Sequence, residues 1–197
     1  MAGLRVDPVR LLLVSGSLRS GSSNAAVLRT AKAIAPAGVQ AELYERLAEL
    51  PHFNPDDDFD PLPAAVIEMR AGIAAADAVL FCTPEYAGAL PGSFKNLLDW
   101  TVGGGEIYGK PVAWINASGL AAPTGGANAH DSLRIVLGYT GADIVEPACV
   151  RIPIARQMVG GDGLIGDEAV RFALADALAA LVGRARRARR GEGGERE

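Results

Sequence analysis

The stretch VRLLLVSGSLRSGSSN, residues 9–24, joins three kinds of sequence. Leu11–Val14 is a short apolar run, and such a run ended by glycine reads as a buried strand. Ser15–Ser23 is polar and holds two glycines. From Asn24 to Ala35 alanine dominates, with apolar residues at helical spacing and Ser or Asn as a cap. The order is strand, polar loop, helix. A loop so placed faces the free N–H groups and partial positive charge of the helix start, which favour an anion. Ser15, Ser17, Ser22 and Ser23 offer hydroxyls. Arg19 offers a permanent forked cation suited to phosphate, and Gly16 and Gly21 let the backbone come close.

Two well-known phosphate loops fail on single letters. A dinucleotide fingerprint needs glycine where Leu18 stands, and a nucleoside-triphosphate loop needs lysine where Ser22 stands. Two readings stay open: a site for one terminal phosphate, or a polar turn with no ligand.

The chain as a whole narrows the class. Its 197 residues suit a single domain over 1–183, followed by an Arg-rich tail over 184–197 that is expected to be disordered. At 49% hydrophobic the chain can bury a core, yet no apolar run approaches the ~20 residues that span a bilayer. The first ten residues lack the layout of a signal peptide, and Cys82 and Cys149 have neither disulfide-framework nor metal spacing. A cytoplasmic protein is expected. The tail carries six Arg and three Glu, leaving a net −7 on the rest, so no nucleic-acid or membrane partner is expected.

Further along, Val39–Tyr44 reads as a second strand. Residues 45–61 form an irregular acidic stretch in which Asp56–Asp58 reads as solvated and His52 as structural; the calcium-loop spacing is absent. A helix is expected over Leu62–Ala76 and a strand over Ala76–Cys82, whose cysteine reads as a buried, inert thiol. A helix over 91–100 has Pro91 at its first position, with Lys95 and Asp99 as a solvated i,i+4 pair. Trp100 and Trp114 read as core or subunit contacts. Lys110–Ala117 is a strand, Ser118–Gly126 a second glycine-rich loop, and Ala127–Gly138 a helix. One or two short strands follow in Asp143–Ile152. Arg156–Gly166 is a connection, and a last helix runs from Asp167 to about Gly183. Repeated strand–helix alternation implies a parallel sheet with helices on both faces. Ligands of such sheets sit beyond the carboxyl ends of the strands. The loops 15–23, 83–90 and 118–126 share that edge.

The middle loop belongs to TPEYAGALPGSFKNLLDW, residues 83–100. Pro84, Gly88, Pro91 and Gly92 stiffen its path, so its backbone groups could read the polar edge of a flat heterocycle. A stiff strand-to-helix turn with no ligand is the other reading. Taken with the first loop, a phosphorylated flat ring is the economical guest. With two histidines and no clustered metal ligands, the chain offers few acids, bases or nucleophiles, so a cofactor would carry the chemistry.

GSLRSGSSN at 16–24 together with TPEYAGALPGSFKNLLDW at 83–100 resembles the NADPH-dependent FMN reductase family. GLAAPTGG at 119–126 resembles that family's more variable third loop, and the likeness spans roughly 9–182. The resemblance implies a flavodoxin-like three-layer sandwich with a five-stranded parallel sheet of order 2-1-3-4-5. It implies an enzyme with FMN as cofactor and NAD(P)H as co-substrate, reducing a quinone, flavin, metal or azo-type acceptor. Ser17, Arg19, Ser22, Ser23 and Asn24 would hold the FMN phosphate, with Leu18 as a packing residue. Pro84, Glu85, Tyr86, Ala87 and Gly88 would lie along the isoalloxazine, and Ser118 and Gly119 would close the third side. Many members carry Asn and Ser where this chain has Ala87 and Ala89. The resemblance also implies a homodimer or homotetramer and a small-molecule acceptor as partner. A flavodoxin-like electron carrier and a non-enzymatic flavin-binding sensor are the rival functions.

Overall fold

The computed structural model describes residues 7–119 and 122–192. Leu120, Ala121, the first six residues and the last five of the tail lie outside them. Five parallel strand positions form the sheet. β1 (Val9–Ser15) pairs with β2 (Val39–Tyr44) on one side and β3 (Ala78–Thr83) on the other, and β3 pairs with β4 (Pro111–Ser118). The outer position is shared by β5 (Asp143–Ile144) and β6 (Val150–Pro153), both parallel to β4. The order is thus 2-1-3-4-5, with β6 as an addition to the expected five strands. The cause is local. From Ile144 to Val150 the edge chain advances six positions while β4 advances three, from Val112 to Ile115. The surplus is taken up by a 3-10 turn at Glu146–Ala148, where Pro147 has no N–H to give the ladder.

Every residue of β3 and β4 is buried, as expected for central strands covered on both faces. Successive side chains point to opposite faces. Leu11, Leu13, Leu80, Cys82 and Ile115 pack in the core that also holds residues of α1 (Ser23–Ala33) and α5 (Glu168–Arg189). Val14, Phe81 and Trp114 pack in the core shared with α2 (Ala64–Ala75), α3 (Gly92–Gly104) and α4 (Ala127–Tyr139). Trp100 and Trp114 are fully buried there, so within this chain they are core residues.

Three expectations need correction. Asp58 is not solvated: it accepts from Arg70 Nη2 at 2.7 Å, and the nearly buried Arg70 also donates to Trp100 O within α3. The acidic stretch is thereby tied to two helices. The last helix does not end near Gly183 but runs to Arg189, because Ala185 continues the buried stripe of Leu178, Leu181 and Val182. Two arginines of its last turns are engaged. Arg184 pairs with Asp143 at 2.7 Å, and Arg189 pairs with Asp77 while donating to the carbonyls of Asp7 and Pro8. Finally, α3 extends through Gly103 and Gly104, and its C-terminal stop is Gly105 in the left-handed region.

Trp114 Nε1 donates to His130 Nδ1 at 2.9 Å, fastening α4 to the sheet. That bond leaves the proton of the neutral ring on Nε2, facing the Arg134 guanidinium. Burial first, then the positive charges of Arg134 and Arg151, push the His130 pKa below its ordinary value, against smaller opposing effects from Asp131 and Glu146. Among the described residues no helix is long and apolar enough to cross a membrane, and no three His, Cys, Asp or Glu side chains gather as a metal-ligand set.

Candidate active site

A cavity of about 500 Å³ opens at the carboxyl ends of β1, β3, β4 and β6. It lies within the size range of cofactor pockets. Its wall includes Ser17, Arg19, Ser22, Ser23 and Asn24 from the first loop, Pro84, Glu85 and Tyr86 from the second, and Ser118 and Gly119 from the third. Ten of the twelve residues singled out by the sequence therefore meet around one space.

The first loop gathers hydrogen-bond donors and a cation at the start of α1. Ser22 caps α1 by accepting from Asn24 N at 3.2 Å, which satisfies one of the free N–H groups of the first turn and leaves others for a ligand. Ser17 Oγ accepts from Arg19 N at 3.4 Å, and Ser15 Oγ accepts from Ser17 N at 3.3 Å. The Ser17 and Ser22 hydroxyls thus hold the loop through their oxygens while their protons remain to be donated. Asn24 Oδ1 accepts from the Cys82 thiol at 3.3 Å. That thiol is fully buried, and burial drives its pKa far upward, so Cys82 is inert. The Arg19 guanidinium makes no hydrogen bond or ion pair with any described residue. Gly16 is required by close approach: a Cβ there would stand 2.6 Å from Thr83 Oγ1 and 2.9 Å from the Phe94 ring. Leu18 is corrected: it is 55% exposed and does not pack into the core.

The second loop holds its shape through a two-residue hairpin. Tyr86 N donates to Ala89 O and Ala89 N to Tyr86 O, both at 3.0 Å, with Ala87 at φ +50° and Gly88 at φ +73°. Two successive positive φ values are the signature of a type I′ turn, whose favoured pair is Asn-Gly. Ala87 occupies the position where Asn would relieve backbone strain, and it sits with Gly88 at an exposed tip. Neither residue lines the cavity. Asn116, buried in β4, donates to Thr83 O at 3.1 Å and so fixes the point where the second loop leaves β3.

Glu85 borders the cavity, but its carboxylate is engaged elsewhere. Oε1 accepts from Thr124 Oγ1 at 2.7 Å, and Oε2 accepts from the N–H groups of Asn128 and Ala129 at 3.0 and 3.2 Å. It therefore caps α4 rather than facing a ring.

The remaining wall was not read from the sequence. Ile154, Ala155, Arg156 and Gln157, just after β6, complete the cavity with Ala117 and Ala122. They arrive there because the following connection is fastened to α1: Ile165 N donates to Thr30 Oγ1 at 2.9 Å and Arg29 Nε donates to Gly163 O at 3.3 Å. The Arg156 guanidinium, like that of Arg19, has no partner among the described residues.

The donor set suits a phosphorylated flat cofactor. Hydroxyls, helix N–H groups and a free guanidinium gather in the first loop. The stiff Pro84–Tyr86 backbone and the small apolar Ala117, Ala122 and Ile154 supply the rest of the wall.

Comparison with known proteins agrees with that chemistry. The family model for NADPH-dependent FMN reductases matches residues 9–157. An NAD(P)H-dependent FMN reductase of Pseudomonas aeruginosa is 36% identical over 177 residues, covering 89% of this chain and 94% of the relative. A quinone reductase of Escherichia coli K12 is 33% identical over 143 residues, covering 71% and 75%. Among solved structures, the flavoenzyme NAD(P)H:(acceptor) oxidoreductase FerB of Paracoccus denitrificans superposes with a TM-score of 0.80 at 28% identity, covering 91% of this chain and 98% of that one. The fold is flavodoxin-like. The chain belongs to the NADPH-dependent FMN reductase family, whose oxidoreductases work with FMN and NAD(P)H.

Proposed function

We propose that this chain is a cytoplasmic NAD(P)H-dependent reductase of small oxidised acceptors, quinones first among them, with FMN held in the cavity described above. The observation that carries the reading is the division of labour around one space: an unpaired Arg19 beside the α1 start, and the stiff second loop beside Ser118 and Gly119. Ser17, Arg19, Ser22, Ser23 and the α1 N–H groups would bind the phosphate. The backbone of Pro84, Glu85 and Tyr86, with Ser118 and Gly119, would read the ring edge. When bound, FMN supplies hydride acceptance and two-electron delivery, chemistry that no side chain around the cavity offers. Ala117, Ala122 and Ile154 would exclude water from the ring. Tyr86, 47% exposed at the rim, would offer an aromatic face to a flat donor or acceptor. The nicotinamide donor and the acceptor would use the same opening in turn, which gives ping-pong kinetics.

A quinone is favoured because the E. coli and Pseudomonas putida relatives are quinone reductases; the NADPH azoreductase of a Bacillus strain keeps azo dyes as the next class to assay. We further propose a homodimer or homotetramer, in line with the family resemblance. The test is steady-state NADPH oxidation by the FMN-loaded chain with a water-soluble quinone, an azo dye, chromate and free flavin. The expected result is parallel double-reciprocal lines, with the highest kcat/KM for the quinone. A quinone rate no higher than the rate to oxygen overturns the acceptor assignment.

A further inference from the structure

Two walls of the cavity are fastened to each other by one carboxylate. Glu85 stands in the second loop, between the lining residues Pro84 and Tyr86. Its three acceptor contacts all go to the segment after β4: the Thr124 hydroxyl and the N–H groups of Asn128 and Ala129 in the first turn of α4. The fastening answers a local need. The residue preceding α4 is Gly126, which has no side chain to cap the helix, so the first N–H groups must find an outside partner. A carboxylate at that point also meets the positive end of the helix. Thr124 extends the chain of bonds: its oxygen accepts from Gly126 N at 3.2 Å while its proton goes to Glu85. The Glu85 side chain is half-buried, which strengthens charge-assisted bonds relative to open water.

We infer that the Glu85 side chain is a positioning group of this reductase: it sets the separation of the Pro84–Tyr86 wall from that of Ser118, Gly119 and Ala122 and so governs cofactor affinity through Thr124 and α4, without its carboxylate touching the cofactor. The inference rests on the flavin reading of the cavity and adds a role to it. The strap is made of protein groups alone, so FMN binding need not bear the cost of bringing two loops together. Glutamine can nearly reproduce the arrangement, because its carbonyl can accept the two helix N–H bonds while its amide donates to Thr124 Oγ1. Alanine cannot.

The test combines two measurements on the full chain and on Glu85→Ala, Glu85→Gln, Thr124→Val and the Glu85→Ala/Thr124→Val double variant. Amide hydrogen exchange without ligand should show Asn128 and Ala129 protected in the wild type and in Glu85→Gln, and deprotected in Glu85→Ala. FMN titration should show Glu85→Ala weakened by about tenfold to a hundredfold, the scale of losing the hydrogen bonds that join the two walls. Thr124→Val should weaken binding by a smaller factor, and the double variant should bind no more weakly than Glu85→Ala alone. Glu85→Gln should stay within about threefold of wild type. A carboxylate touching the flavin directly gives the opposite pattern: effects of Glu85→Ala and Thr124→Val that multiply, no rescue by glutamine, or Asn128 and Ala129 amides indifferent to Glu85. Any of these overturns the inference. Uptake of no FMN by the wild type overturns the flavin reading itself, and the positioning role with it, while the exchange data report on the strap separately.

Discussion

The two ends of the sheet treat charge in opposite ways. At the amino ends of the strands, Arg189 reaches Asp77 and the carbonyls of Asp7 and Pro8, and Lys110 donates to the Ala74 and Ala76 carbonyls. Arg184 pairs with Asp143 at the start of β5. Cations there are used to close the fold. At the carboxyl ends, Arg19 and Arg156 border a cavity with no protein partner, and Ala87 is held at φ +50°. Unpaired charge is a cost that a fold carries where a ligand is to be met. Removing a charge that borders the cavity should therefore act on FMN and removing one at the amino end on stability, while Ala87, outside the cavity wall, should act on stability alone.

Arg19→Ala is the sharpest way to break that contrast. Loss of a charge-assisted phosphate contact, about 1.5–3 kcal/mol, should weaken FMN binding by about tenfold to a hundredfold. The melting temperature of the FMN-free protein should stay within a degree or two of wild type. An unchanged FMN affinity by fluorescence titration would remove Arg19 from the site. Ala87→Gly comes next. The left-handed region costs a non-glycine residue roughly 1–2 kcal/mol, partly offset by the entropy of a more flexible unfolded chain. A gain of about 0.5–1 kcal/mol in urea unfolding is expected, with FMN affinity little altered because Ala87 does not line the cavity.

At the other end, Arg189→Ala should cost about 0.5–1 kcal/mol in the same assay, the scale of a partly exposed ion pair, and leave FMN affinity unchanged. It should also alter the acid limb of stability. Burial raises the Asp77 pKa, but the bonds from Arg189 and Arg10 outweigh it and hold the carboxyl below its ordinary 3.8. A lowered folded-state value means that this stabilisation is present above about pH 4 and is lost as pH falls through the folded value. Urea midpoints between pH 5 and pH 3 should fall less steeply in Arg189→Ala. The smallest effect concerns His130, whose folded pKa is lowered from 6.5. Because burial and the nearby Arg134 and Arg151 charges disfavour the charged ring, the stability its neutral form contributes is fully present above pH 6.5 and is lost as pH falls from there through the folded value, the unfolded chain binding the proton first. His130→Gln can still accept from Trp114 and should flatten the slope of stability between pH 7 and pH 5.5. An unaltered slope would assign it to other groups.

How much of this was legible in the sequence depends on distance along the chain. Val9–Asn24 could be read because strand, loop and cap are neighbours, and the structure reproduces the cap on Asn24 N. The parallel sheet followed from alternation, and its strand order from the resemblance alone. The hairpin at Ala87–Gly88 was hidden because alanine gives no turn signal where asparagine would have given one. The wall formed by Ile154–Gln157 depends on β6 joining β4 and on Thr30 holding Ile165, contacts that span long stretches of sequence. Glu85 looked like part of a ring-binding loop, and only the placement of α4 reveals where its carboxylate goes. The helical continuation to Arg189 was readable in principle, since Leu178, Leu181, Val182 and Ala185 stand at i, i+3, i+4 and i+7. Arg184, Arg186, Arg187 and Arg189 interleave that stripe and dilute its apolar signal.

The most direct test of the central claim is the visible absorption spectrum of the purified chain, passed through gel filtration after incubation with FMN and then mixed with NADPH without oxygen. A flavin spectrum that travels with the protein and bleaches on addition of NADPH is the predicted result. FMN that separates from the protein on the column, or a bound flavin that NADPH leaves coloured, would contradict the claim.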